Sequence, residues 1–167
     1  STAFAVINAG LKPILVDIEP SKPTISLNDL KNKINKKTKV IMPVHLYGSV
    51  VDIGKIKKII KKKNIHIIDD CSQAHGAYLG NKRVGSLADI SCFSLYPGKN
   101  LGAYGDAGII TTNNFNHFNK IKSFRLKLGL QAKKLAEQIN ISSSYLNLIE
   151  NGKRNIDADL LIKICNE

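Results

Sequence analysis

Cysteine, methionine and tryptophan are scarce in this sequence, whose 167 residues include three cysteines, one methionine and no tryptophan. Three cysteines cannot all pair, and Cys71, Cys92 and Cys165 do not have the spacing of metal ligands, so we expect reduced thiols and no metal site. No apolar run approaches the ~18 residues that cross a bilayer, and no positive charge precedes the apolar N-terminal residues as in a secretory signal. The sequence therefore predicts a cytoplasmic protein that does not contact a membrane.

Acidic residues are also scarce, since 13 Asp and Glu face 25 Lys and Arg and leave a net charge of +12. Residues 1–125 hold nineteen of the basic residues and eight of the acidic ones, whereas residues 126–167 are nearly balanced. Lysine outnumbers arginine twenty-two to three, a bias typical of AT-rich genomes. The basic run at residues 55–63 is therefore interpreted as a solvated helix face, and the charge favours only weak, non-specific binding of nucleic acid.

Short apolar runs rich in β-branched residues alternate with amphipathic stretches over the first 112 residues. The stretch at residues 52–63 places Ile53, Ile56, Ile59 and Ile60 at helical spacing, which predicts a helix that packs one face on a sheet. Near-continuous apolar strands beside such a helix are typical of a parallel sheet covered on both faces. The predicted fold class is α/β, with strands at residues 14–17, 40–44, 66–69, 90–94 and 108–112.

Two polar clusters follow predicted strands, where ligands of open α/β sheets usually bind. The first is Asp-Asp-Cys-Ser-Gln at residues 69–73, and the second runs from Ser94 to Lys99, with Tyr-Pro-Gly before the lysine. Pyridoxal 5'-phosphate chemistry needs a lysine that forms a Schiff base, a carboxylate that keeps the pyridine nitrogen protonated, and donors that hold the phosphate. The two clusters supply these groups in order along the chain.

With their neighbours, these clusters resemble the DegT/DnrJ/StrS family of sugar aminotransferases. The segments Ala-Gly-Leu-Lys-Pro-Ile-Leu-Val-Asp at residues 9–17 and Pro-Val-His-Leu-Tyr-Gly at residues 43–48 are similar to consecutive blocks of that family. The resemblance covers about residues 1–125 as an internal fragment in unbroken order, which is far more than a single short motif. It implies that residues 1–122 are part of the large domain of an aspartate aminotransferase-like, pyridoxal-phosphate-dependent transferase.

The resemblance also implies a role for each residue of the cofactor site. Lys99 would form the Schiff base, and the family register selects Asp70 as the partner of the pyridine nitrogen. Gln73 would lie beside the cofactor ring and its phenolic oxygen, and Ser94 would bind the phosphate. Lysine at position 99 matters because related dehydratases resemble this family but have histidine there. The implied substrates are a keto-sugar nucleotide and glutamate as amino donor, and the implied assembly is a homodimer.

Parts of the family pattern lie outside this sequence: a phosphate-binding Gly-Thr turn, an aromatic residue that stacks on the cofactor ring, and a small C-terminal domain. We therefore expect impaired activity from this chain alone. Neighbouring residues have simpler interpretations than catalysis. Asp69 stands beside Asp70 without sharing its role, His45 and His75 are predicted to be structural histidines, and Cys71 is predicted to be a small buried residue and not a nucleophile.

The C-terminal segment changes in pattern, and residues 119–167 resemble a truncated helix-turn-helix domain of the Cro/phage-repressor type. The resemblance places the helix-turn-helix domain at residues 123–167 and a recognition helix at about 143–150. Ser143, Ser144 and Asn147 would face bases, while Lys153 and Arg154 would contact phosphates. Because this segment has almost no positive surplus, DNA binding is expected to be weak and to vanish as salt rises.

Three alternatives remain open on the sequence. The first is the sugar aminotransferase, impaired by truncation. The second is a helix-turn-helix regulator that binds DNA, with the α/β part as a sensor or scaffold. The third is a non-functional chimeric product of two gene fragments. Separately, the last residues could form a small helical cap that packs on the neighbouring module in place of a helix-turn-helix domain.

Overall fold

The computed structural model describes residues 2–61, 63–117, 119, 120, 123, 142 and 144. The chain forms two compact units, Ser1–Phe93 and Ser94–Glu167. Among the residues described, every helix is too short or too polar to cross a lipid bilayer.

The first unit contains most of the regular structure. In chain order, its elements are α1 (Thr2–Asn8), β1 (Ile18–Glu19), β2 (Lys22–Ile25), α2 (Leu27–Lys33), β3 (Val40–Ile41), a 3₁₀ turn (Leu46–Gly48), α3 (Ile53–Ile59), β4 (His66–Asp70), β5 (Tyr78–Leu79), β6 (Lys82–Arg83) and β7 (Ile90–Ser94), whose last residue begins the second unit. The second unit contains β8 (Gly108–Thr111).

A parallel sheet organises the first unit, with β4 paired to β3 on one side and to β7 on the other. The register aligns Ile41 with Ile67 and Ile68 with Ile90. Beyond β3, Val44 forms an isolated parallel bridge with Asp70. The predicted α/β class is confirmed, and the strands predicted at 66–69, 90–94 and 108–112 are present. The strand predicted at 40–44 is shorter than expected.

The helix predicted at residues 52–63 is present but shorter, since α3 ends at Ile59. The side chain of Asp52 caps it by accepting a hydrogen bond from the Lys55 N–H at 3.0 Å. Ile53, Ile56 and Ile60 are buried against the sheet core, which includes Ile41, Ile67 and Cys71, and Ile59 is partly buried. The described lysines of the 55–63 run are exposed, which confirms the predicted solvated face.

The strand predicted at residues 14–17 is wrong, because this segment has no ladder partner. Side chains of α2 bind its backbone instead. The Asp17 N–H donates to Asp29 Oδ2 at 2.7 Å, and the Leu15 carbonyl accepts from Lys33 Nζ at 2.8 Å. The apolar side chains of Ile14 and Leu15 are exposed. Pairing begins one residue later, in the antiparallel hairpin of β1 and β2.

The second unit has its own small apolar cluster, which consists of Leu95 and Ala103 with Leu101 and Ile109 packed against them. Two backbone hydrogen bonds of Leu95 connect it to the residues that follow the turn. The Leu95 N–H donates to the Ala107 carbonyl at 2.9 Å, and the Leu95 carbonyl accepts from the Ala103 N–H at 2.7 Å. These bonds bracket the turn that contains Lys99.

Candidate functional site

The carboxyl end of β4 carries two consecutive acidic residues in different environments. Asp69 is fully buried, whereas Asp70 is only partly buried. Successive side chains of a strand point to opposite faces, so burial of one carboxylate turns the other away from the same core. The Asp70 N–H donates to the Pro43 carbonyl at 2.9 Å, and the Asp70 carbonyl accepts from the His45 N–H at 3.0 Å, which fixes this strand end against residues 43–45.

His45 forms a buried hydrogen-bonded pair with Asp69, with 3.0 Å between His45 Nε2 and Asp69 Oδ2. The other ring nitrogen, Nδ1, accepts a hydrogen bond from the Val51 N–H at 3.0 Å. A backbone amide can only donate, so Nδ1 carries no proton and Nε2 must be the protonated nitrogen that donates to Asp69. The predicted structural role of His45 is confirmed.

The same pair lies beside Cys71, and the ligand atoms of His45, Asp69 and Cys71 are within 4.8 Å of one another. This spacing would suit a metal ion. A metal at His45 Nε2 would, however, displace the proton fixed there, because the Val51 amide occupies Nδ1. Histidine ligands normally donate their second N–H to a neighbour, which this geometry forbids. The cluster is therefore better described as a hydrogen-bonded core pair than as a metal centre.

Asp70, the predicted cofactor partner, is held by two donors in the first unit. Its Oδ2 accepts from the Thr2 hydroxyl at 2.7 Å, and its Oδ1 accepts from the Ser72 N–H at 3.0 Å. Both bonds favour the ionised carboxylate. Thr2, at the start of α1, is 68 positions from Asp70 in the sequence, and no local sequence pattern predicts their contact.

Gln73 lies three residues beyond Asp70, and the 3₁₀ turn at Leu46–Gly48 binds it twice. The Tyr47 N–H donates to Gln73 Oε1 at 3.3 Å, and the Gly48 N–H donates to the Gln73 carbonyl at 2.9 Å. Because an N–H only donates, the atom facing Tyr47 is the amide oxygen, and the NH₂ of Gln73 points elsewhere. The structure thus brings Asp70 and Gln73 together at one strand end, with the amide of Gln73 oriented as a donor.

Near these groups, Cys71 is buried and Cys92 is partly buried. Burial raises the pKa of the Cys71 thiol far above its usual range, and the charge of Asp69 raises it further. Burial also raises the pKa of Cys92, with smaller contributions from Asp70 and Asp69. Both groups remain thiols at neutral pH, so the prediction that Cys71 is not a nucleophile is supported. His75 has a packing contact, with its ring centroid 5.5 Å from that of Phe93.

In the second unit, Ser94 and Lys99 flank a compact turn. Ser94 Oγ accepts from the Tyr96 N–H at 3.3 Å, and the Lys99 N–H donates to the Tyr96 carbonyl at 2.8 Å. Gly102 closes the turn on Pro97, since a Cβ at residue 102 would lie only 2.6 Å from the Pro97 carbonyl oxygen. The Lys99 side chain is partly buried, unlike most lysines of this chain. The turn therefore holds the predicted Schiff-base lysine on a restrained backbone.

Comparison with known proteins identifies the family to which this chain is related. The sequence profile of the DegT/DnrJ/EryC1/StrS aminotransferase family matches residues 1–146. The chain belongs to this family. The matched range extends past residue 125, where the resemblance in the sequence ended, and into the segment compared above with repressors. Nothing in the family match shows a helix-turn-helix fusion, which stays a prediction.

The named relatives indicate which kind of aminotransferase this chain is similar to. The chain is 38% identical over 125 residues to the UDP-N-acetyl-3-dehydro-alpha-D-glucosamine 3-aminotransferase of Acidithiobacillus ferrooxidans, a match that covers 75% of this chain and 34% of the relative. This chain thus spans about a third of the length of that curated relative. Its homologues in this family include several transaminases of nucleotide-linked sugars.

Solved structures of the family share the fold. DesV from S. venezuelae, in complex with a ketimine intermediate, has a TM-score of 0.71 and 32% identity over 74% of this chain and 33% of its own. NtdA from Bacillus subtilis, with bound cofactor PMP, has a TM-score of 0.61 and 38% identity over 68% of this chain and 25% of its own. The chain therefore has a mixed α/β fold whose structural neighbours are sugar aminotransferases of the pyridoxal phosphate type.

Of the predicted DNA-contacting residues, Ser144 alone lies within the part of the chain that the structure describes, where it is helical and exposed. Ser143, Asn147, Lys153 and Arg154 lie outside it. Within the first unit, the sequence did not predict two residues that bind the candidate site residues. These are Thr2, which binds Asp70, and Tyr47, which binds Gln73. Thr2 gave no local signal, whereas Gly48 is a turn signal that could have drawn attention to the neighbouring Tyr47.

Proposed function

We propose that this chain is part of a pyridoxal-phosphate-dependent aminotransferase that acts on a keto-sugar joined to a nucleotide. The observation that carries the proposal is the strand end at Asp70 and Gln73, where a partly buried carboxylate and an amide donor are both held by backbone hydrogen bonds. Membership of the DegT family supports it, and so do relatives named as aminotransferases of nucleotide sugars.

The residues of the first unit fit the cofactor. A pyridinium nitrogen needs a carboxylate that stays ionised, and Asp70 accepts two hydrogen bonds that favour this form. The phenolic oxygen of the cofactor is an acceptor, and Gln73 presents its NH₂ because its Oε1 is bound to Tyr47. The fully buried Asp69 does not fit the same role, since its Oδ2 accepts from His45 in the core.

The residues of the second unit supply the remaining roles in the proposal. The Lys99 amine would bind the cofactor covalently and move a proton at the reacting carbon of the substrate, and the Ser94 hydroxyl would bind the phosphate. When bound, pyridoxal phosphate supplies an electron sink that lets an amino group pass from a donor to a keto carbon. Glutamate as donor, a homodimer as the assembly and a cytoplasmic location are part of the proposal.

An absorbance titration of the purified chain with pyridoxal phosphate, followed by borohydride reduction and peptide mapping, tests the proposal. We expect the reduced adduct at Lys99, because its side chain is partly buried and its backbone is fixed by Tyr96. Lys99→Ala should remove this adduct. Lys58→Ala, on the exposed face of α3, should leave it unchanged.

An adduct distributed over many lysines, with the same total yield in Lys99→Ala, would show that no specific cofactor site forms. That result would overturn the proposal for this chain while leaving its family membership intact.

A further inference from the structure

Tyr47 has an unusual backbone for a tyrosine. Its φ of 52° and ψ of 35° lie in the left-handed helical region, and among the described residues it is the only one other than glycine with positive φ. This conformation is unfavourable for a residue with a Cβ and is usually taken by glycine. Such strain persists where the surrounding structure imposes it, most often at functional sites.

Packing of the Tyr47 ring does not offset the backbone strain, because the side chain is 78% exposed. The turn itself needs only the backbone of Tyr47, since its N–H binds Gln73 Oε1 and the next N–H, that of Gly48, binds the Gln73 carbonyl. Gly48 adopts the same region at φ 77°. Glycine at position 47 would give the same two bonds without strain, so the turn does not explain the tyrosine side chain.

The position of Tyr47 suggests what the ring contacts. The turn follows His45, whose N–H binds the Asp70 carbonyl, so the exposed ring belongs to the same end of the sheet as Asp70 and Gln73. Ligands of open α/β sheets bind at this end. Asp70 and Gln73 are partly buried, whereas Tyr47 is exposed, as expected of a residue at the rim of a site that receives a larger ligand.

We propose that the ring of Tyr47 is a platform for the sugar ring of the nucleotide-sugar substrate, an inference that rests on the proposed function. A tyrosine ring offers an apolar face to the C–H face of a sugar, and its hydroxyl can hydrogen-bond to the sugar's polar groups. The rigid side chain has only two rotatable angles, so holding it in place beforehand lowers the entropic cost of binding. Tyr47 is thus a specificity-determining contact for the sugar.

The test compares the full chain with Tyr47→Gly and Tyr47→Phe, with UDP-N-acetylglucosamine as the probe and saturation-transfer NMR as the binding assay. Tyr47→Gly should leave the thermal midpoint little changed, because the relief of left-handed strain is offset by the greater conformational freedom that glycine gives the unfolded chain. It should also weaken binding of the probe about three- to tenfold, the range of an aromatic contact. Tyr47→Phe should keep most of the affinity.

Tyr78→Ala is the matched control, because Tyr78 is also an exposed tyrosine of the first unit but packs against Arg83, with 5.1 Å from the guanidinium carbon to the ring centroid. We expect unchanged affinity for the probe in this variant. Unchanged affinity in Tyr47→Gly overturns the inference and leaves the proposed function standing. A fall in the midpoint as large as the loss of a buried aromatic side chain causes also overturns it, since the ring would then be packed.

The two proposals fail in different ways. If the chain forms the Lys99 adduct with pyridoxal phosphate and binds the probe, but Tyr47→Gly binds it equally well, the sugar platform alone is wrong. If neither the adduct nor binding of the probe is seen, the proposed function and the inference are both wrong.

Discussion

Asp69 and Asp70 are neighbours in β4, yet one carboxylate accepts from His45 in the core and the other accepts from the hydroxyl of Thr2. The pleat of the strand separates them, because successive side chains alternate between the two faces of the sheet. Two identical side chains thus lie in different environments although they are adjacent in the sequence. The sequence alone offered either residue as the cofactor carboxylate, and only the family register chose between them.

The two carboxylates should respond oppositely to substitution by asparagine. Asp69→Asn should lower the free energy of unfolding by about 1–3 kcal/mol, the cost of weakening a buried, charge-assisted hydrogen bond. Asp70→Asn should change it by less than about 1 kcal/mol, because its side chain is only partly buried. In the cofactor titration the order reverses, and Asp70→Asn should cause the larger loss. Equal effects in both assays would show that the roles are assigned wrongly.

The buried pair of His45 and Asp69 predicts a large effect of substitution on stability. His45→Ala would leave the Asp69 carboxylate buried without its donor and the Val51 N–H without its acceptor. Breaking a buried pair on one side costs about 3–5 kcal/mol, enough to unfold many small domains. Urea denaturation followed by circular dichroism measures this loss. His66→Ala is the control, because His66 is exposed and faces Asp89 at 4.0 Å, and it should cost less than about 1 kcal/mol.

The thiols should be slow to alkylate in the folded chain. Burial raises the pKa of Cys71 and Cys92, so little thiolate forms as the pH passes ~8.5, where an exposed cysteine ionises. A raised pKa in the fold also means that stability from these groups is lost as the pH rises above the unfolded value. Iodoacetamide labelling of a Cys165→Ser variant between pH 7 and 9 should be slow, and rapid in urea. Labelling of Cys71 at the rate of a free thiol would contradict the burial described above.

The conformation of the turn that contains Lys99 should depend on Gly102. A methyl group there would lie 2.6 Å from the Pro97 carbonyl oxygen, so Gly102→Ala must displace the backbone on one side of Lys99. We expect a loss of about 1–3 kcal/mol in stability and a lower yield of the Lys99 adduct. Gly98→Ala is the matched control, because its Cβ would meet only the Tyr96 ring at ordinary contact distances of 3.9–4.0 Å. Similar behaviour of the two variants would show that crowding at Gly102 does not matter.

The elements that the sequence predicted correctly are those whose apolar pattern matches local geometry. α3 follows from the isoleucine spacing, and β4 and β7 follow from short β-branched runs beside turn residues. The segment at residues 14–17 has the same pattern, but its partner is a helix with a lysine and an aspartate, Lys33 and Asp29, that bind its backbone. Strand pairing depends on a partner, which a single segment does not reveal.

The candidate site was predictable where its residues are close in sequence. Asp70 and Gln73 lie at the end of one strand, and Ser94 and Lys99 at the end of another, so local motifs suggested all four. The contacts that orient them come from distant positions. Thr2 is 68 residues from Asp70 and Tyr47 is 26 residues from Gln73, and only the fold brings these pairs together.

The exposed apolar side chains at Ile14 and Leu15 bear on the colloidal behaviour of the chain. Adjacent exposed apolar side chains in a segment without a strand partner form a patch on which a second molecule can pack, the first step towards insoluble assemblies. The surplus of twelve positive charges repels such encounters at low ionic strength. Salt screens that repulsion, so a solution of the purified chain should become turbid as the sodium chloride concentration is raised. The variant Leu15→Asp should keep the solution clear.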